Sequence, residues 1–142
     1  MTKERAGKIF PVYMKDIQLP EGAKEEEIEV YRVCLTGKVE PDSFLNSYED
    51  AKLKIRDLDL NEVGSYSLSC YEDIKDIRKM LKFFTKRTPG VPVVAQGLTE
   101  SCCGVVQRTI ERIKLKSGKS HIDWWLYEDA KPHNYFKEVQ NI

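Results

Sequence analysis

Apolar positions recur along this chain in two rhythms, and each predicts its own elements. Ile28 to Leu35 alternates loosely and is rich in β-branched residues, which predicts a strand closed by Thr36-Gly37. Gly64 to Ser69 predicts a second short strand. Beyond it the period lengthens: Ile74, Ile77, Leu81 and Phe84 fall on one helical face, with Met80 beside them. The opposite face carries Lys75, Arg78, Lys79, Lys82 and Lys86. This pattern predicts one long amphipathic helix over about 70–86. Ser69 and Glu72 have capping-box spacing at its start, and Thr88-Pro89-Gly90 stops it.

The rest of the chain is dominated by strand patterns. Val91 to Ala95 is a continuous apolar run of strand length. Val105 to Leu115 and Ser120 to Tyr127 are β-rich, and the Ser117-Gly118 turn between them predicts an antiparallel hairpin. Tyr135 to Val139 predicts a last strand. Pro41-Asp42-Ser43 reads as a helix start, with Phe44, Leu45 and Tyr48 as its apolar face. Residues 50–62 are charged and weakly periodic, so they fit a helix end, an extended segment or both. Residues 1–27 read as an irregular segment punctuated by Pro11, Pro20 and Gly22. Strands gathered after the main helix predict an α+β fold rather than a doubly wound sheet. The expected architecture is one domain over 1–142. It has a mainly antiparallel mixed sheet of five to six short strands, packed by the long helix and one or two shorter ones.

Composition sharpens this picture in two ways. At 142 residues the chain is long enough to bury roughly two-thirds of its unfolded surface without a metal or disulfide staple. Its formal net charge is zero, so nucleic acid is not an expected partner. The halves differ, however: residues 1–64 carry −4 and residues 65–142 carry +4. No apolar run approaches the ~20 residues that a membrane span needs, and the first residues have no apolar core of a secretory signal. A cytoplasmic setting is therefore expected, with Cys34, Cys70, Cys102 and Cys103 as free thiols. Cys102 and Cys103, with His121 and His133, match no zinc-ligand spacing, so no metal site is expected.

Candidate chemistry concentrates in Ser120-His121-Ile122-Asp123-Trp124-Trp125. On a strand, His121, Asp123 and Trp125 share one face, while Ile122, Trp124 and Leu126 share the other. The second set makes a core face. In the first, His121 suits a general base with Asp123 as its orienting carboxylate, and Trp125 suits a substrate contact. The plainer alternative is a cross-strand hydrogen bond beside a half-exposed tryptophan. A thiol of Cys102 or Cys103 paired with His121 is a further nucleophile option.

A last constellation joins Arg32 on the first strand with Ser65-Tyr66-Ser67-Leu68-Ser69 on the second. A strand arginine beside a Ser-rich edge can hold a phosphate or ribose, because its guanidinium is a rigid fork. Here the chain resembles the arginine-serine-glutamate branch of the ADP-ribosyltransferases. The resemblance implies NAD as a cofactor, Arg32 gripping the dinucleotide and Ser67 positioning the nicotinamide ribose. It implies Glu111 as the catalytic acid, although position 109, a Gln or Glu in that family's motif, is Thr109. Two functions follow as expectations. One is an enzyme or binding domain for a nucleotide-like or phosphorylated ligand, using Arg32, Ser67, Glu111, His121 and Asp123. The other is a non-catalytic domain that anchors a protein partner or a second copy through Trp125, Tyr127, Tyr135 and Phe136.

Overall fold

A computed structural model describes residues 8–50 and 58–142. Its strands are β1 (Glu29–Cys34), β2 (Leu68–Tyr71), β3 (Val93–Leu98), β4 (Gly104–Arg108), β5 (His121–Leu126) and β6 (Phe136–Glu138). Among the described residues the one α-helix is α1, Ile74–Thr85. The strands form a single six-stranded sheet in the order β4-β5-β2-β1-β3-β6. Every neighbouring pair is antiparallel. The fold is thus the expected α+β domain, with no parallel pairing in its sheet. No helix among the described residues is long and apolar enough to cross a membrane.

Several expected boundaries shift, each for a local reason. The helix begins at Ile74, not near 70, because β2 runs through Tyr71 and the cap is Asp73, whose carboxylate accepts from Lys75 N–H at 2.7 Å. Ser69 is therefore a strand residue and not the helix cap. The segment after Pro41 makes a short 3-10 turn, Pro41–Ser43, where a longer helix was expected. The predicted strand over 105–115 ends at Arg108, and the chain coils into a 3-10 turn, Thr109–Glu111. The hairpin pairing survives, Gly104↔Leu126 to Arg108↔Ile122, with the long connection 109–120 in place of a tight turn. For residues 50–62, the expectation over 51–57 lies outside the described residues, as do residues 1–7.

One feature of the sheet positions everything that follows. β1 pairs with β3 along its whole length, from Glu29↔Leu98 to Cys34↔Val93. It meets β2 at a single register pair, Tyr31↔Tyr71. The sheet nearly splits there, and Arg32 fills the split. Its Nε donates to the Ser43 carbonyl at 2.9 Å, one terminal nitrogen to that of Ser69 at 2.9 Å, and the other to that of Leu45 at 3.2 Å. One strand carbonyl, that of Ser69, and two from the segment after Pro41 are thus satisfied by a side chain.

The sheet buries both faces. On one, Val30, Leu68, Cys70, Val106, Ile122 and Trp124 form the main core with Phe44 and Phe136. The other is covered in two places. α1 lays Ile77 over Val33 and Val94, while Met14 and Tyr66 cover Trp125. Between these covers lies a strip of polar side chains.

Candidate functional site

The strip is built by β2 and β5, whose ladder runs Leu68↔Trp124, Ser69↔Asp123 and Tyr71↔His121. Alternation puts Ser69, Tyr71, His121 and Asp123 on one face. Ser120 sets the start of β5 against the helix. Its N–H and hydroxyl donate to Asp76 at 3.1 and 2.7 Å, and its oxygen accepts from Asp73 N–H at 3.0 Å.

Asp123 is only 2% exposed, and a buried carboxylate without hydrogen-bond donors is costly. Asp123 has three: the Ser67 hydroxyl at 2.6 Å, the Thr109 hydroxyl at 2.8 Å and Arg112 at 3.0 Å. Arg112 is itself held by Gln107 at 3.1 Å and Glu62 at 3.3 Å. A carboxylate accepts only, so Thr109 must donate to it. With that proton committed, the Thr109 oxygen is left to accept from His121 Nδ1–H, 2.6 Å away. The tautomer is thereby set, and Nε2 carries a lone pair toward the Ser69 hydroxyl at 2.9 Å. Ser69 donates, His121 accepts and passes the bond on, and the chain ends on a buried anion. Burial lowers the His121 pKa below its ordinary value of 6.5; Asp123 opposes that shift and Arg112 adds to it. The imidazole is consequently neutral at neutral pH. Its ring stands edge-on to Tyr71 at 5.1 Å between centroids.

Ser69 and His121 lie on the wall shared by two cavities, of about 520 and 440 Å³. The larger is lined on one side by Val33, Leu35, Ile77, Met80, Phe83 and Phe84, and on the other by Arg32, Ser67, Ser69 and His121. Arg87 stands there too, stacked 3.8 Å over the Phe83 ring. Asp50 is the one carboxylate among the described lining residues. The smaller cavity reaches Thr109, Arg112 and Asp123. A separate 560 Å³ cleft, bounded by Trp124 and His133, contains none of Arg32, Ser67, Glu111, His121 and Asp123.

The expected site residues therefore divide. Arg32, Ser67 and His121 do share a cavity, and Asp123 stands directly behind it. Arg32 is 8% exposed and holds the fold together as well as lining the site. Glu111 does not join them. It sits on the turn after β4, with its carboxylate near Gly22 beside Gln107, and lines none of these cavities. Trp125 is not a substrate contact: it is 0% exposed, and its indole N–H donates to the Val63 carbonyl at 3.0 Å. The expected aromatic patch does not form, since Tyr127 and Phe136 are buried with it and Tyr135 alone is exposed. Neither Cys102 nor Cys103 bonds His121; Cys102 lies 3.7 Å from the Tyr135 hydroxyl. Burial pushes the Cys70 and Cys103 thiols up to about 12, which makes both poor nucleophiles.

Thr109, Arg87 and Arg112 escape the sequence, and Ser69 is visible there only as part of a Ser-rich edge, with no role of its own in the site. Ser69 fits a cap as well as a strand, and nothing local separates the two. Thr109 is twelve residues before His121 and joins it only because the chain coils after β4. No protein-family model matches the chain, and neither a curated protein nor a solved structure matches it.

Proposed function

We propose that the 520 Å³ cavity binds a small ligand joining an anionic group to a flat apolar body, the nucleotide-like class to which NAD belongs. The observation that carries this reading is Arg32. Arg32 is buried and lines the cavity, and no carboxylate among the described residues forms an ion pair with it. A buried cation whose hydrogen bonds among the described residues all run to carbonyls favours an incoming anion. Three of its five N–H groups are engaged, which leaves donors for a phosphate oxygen. Arg87 adds a second cation at the mouth, and Met80, Phe83 and Phe84 offer an apolar wall for a base.

Calorimetric titration with AMP, ADP, NAD and unphosphorylated adenosine tests the reading. The phosphorylated compounds should bind and adenosine should not. Arg87→Ala should weaken binding by about tenfold, the size of one charged hydrogen bond, and lower stability by no more than about 1 kcal/mol for the lost stack on Phe83. Equal affinity for AMP and adenosine, or no heat from any of them, would refute it. A thermal shift offers a second measure, since a ligand at 100 times its Kd stabilises by about 2.7 kcal/mol.

A further inference from the structure

The hydrogen-bond chain at the cavity wall ends on an exposed hydroxyl, and that end has a chemistry of its own. We propose that Ser69 is a nucleophile activated by His121, so that the site transfers an acyl group from an activated ester to water. The proposal deepens the ligand reading, since the ester would occupy the same cavity.

Three features support it. Ser69 Oγ is exposed, and its hydrogen-bond partner is the acceptor nitrogen of a fixed imidazole at 2.9 Å. That is the pairing an activated serine requires. The other ring nitrogen donates to Thr109, which in turn donates to Asp123. An imidazolium formed at His121 is thus linked to a buried anion through one hydroxyl, in the role a directly bonded carboxylate has in serine hydrolases. Finally, Arg32 donates to the backbone carbonyl of Ser69 at 2.9 Å, which fixes β2 at the residue that carries the nucleophile.

The steps balance. Ser69 Oγ forms a bond to the ester carbonyl carbon as its proton passes to His121 Nε2. The tetrahedral adduct collapses, the bond from carbon to the leaving oxygen breaks, and Nε2–H protonates the departing alkoxide. Water then attacks the acyl-serine and gives its proton to Nε2. The carbon–Oγ bond breaks, Ser69 takes the proton back, and a carboxylic acid leaves. Ser69 and His121 are the catalytic residues. Thr109 and Asp123 are positioning residues.

A fluorophosphonate probe tests this, because an activated serine displaces its fluoride and keeps the phosphonyl group. Intact mass should show one adduct, and peptide mapping should place it on Ser69. Ser69→Ala should take no label at that peptide. His121→Asn should label about 100-fold more slowly, the typical loss of a general base. Thr109→Val should also slow labelling and Thr109→Ser should restore it, which a purely packing role for Thr109 would not require. Melting curves accompany each variant, and should His121→Asn unfold, the wild-type adduct decides alone. An adduct on any serine but Ser69, no adduct, or undiminished labelling of folded His121→Asn overturns the proposal. Repeating the labelling with AMP separates the two readings. AMP binding without labelling defeats the nucleophile alone. Labelling of Ser69 that AMP neither blocks nor accompanies with binding defeats the nucleotide-like ligand alone.

Discussion

Gly104 pairs with Leu126 where β4 and β5 come closest, and a methyl group there has nowhere to go. A Cβ at this position would press on the Trp125 carbonyl oxygen and lie 2.9 Å from Leu126 Cα, both backbone atoms that cannot swing aside. Gly104→Ala is expected to cost about 1–3 kcal/mol, the usual penalty for overpacking, read as a lower urea midpoint at unchanged slope. The same intolerance of single atoms explains what was legible at residue level. Asp123 and His121 were readable as partners because strand alternation alone puts them on one face. Their actual connection was not, because it runs through Thr109, and a threonine before an unforeseen turn carries no signal of that kind. Trp125 misled for the opposite reason. Alternation gave it a polar face, but Met14 and Tyr66 arrive from distant sequence to cover it.

At the scale of the element, α1 was plain from its period and only its start was misplaced. Its apolar stripe faces β1 and β3, yet Ile77 is its single fully buried residue. Met80, Leu81 and Phe84 pack at the edge of that contact and Phe83 stays exposed. The helix is thus pinned through one side chain over Val33 and Val94. Ile77→Ala should destabilise the protein by about 2–5 kcal/mol in urea denaturation. Because Ile77 also lines the 520 Å³ cavity, any AMP affinity should fall in the same variant. Across from the helix, Arg108 is clamped by Glu72 at 2.9 Å and Arg112 by Asp123 at 3.0 Å, so both arginines are already paired.

For the whole molecule, the buried polar strip makes stability depend on pH. His121 has a lowered pKa in the folded state because burial resists its charge. The unfolded chain therefore takes up a proton first as pH falls through about 6.5, and protons bound only by the unfolded state reduce stability. The contribution is intact above that pH and lost below it. Urea midpoints measured from pH 8 to pH 5 should fall through this window, and His121→Gln should remove that part of the fall. Tyr71 against the ring will not interfere, since burial holds its phenol up at about 12. An unchanged pH profile in His121→Gln would mean that other groups account for it. Local pattern was enough for the class and the cast. Period and alternation follow from local geometry, so an α+β domain, an antiparallel hairpin, the main helix and a shared face for His121 and Asp123 were all readable. Tertiary structure decided the contacts between segments far apart in sequence. It split β1 from β2 and seated Arg32 in the gap. It moved Ser69 from a supposed cap to the end of a proton chain, left Glu111 outside the site and sealed Trp125. Each of these depends on which segments pack together. No local pattern encodes that choice, because burial and hydrogen-bond satisfaction are settled by the whole chain at once.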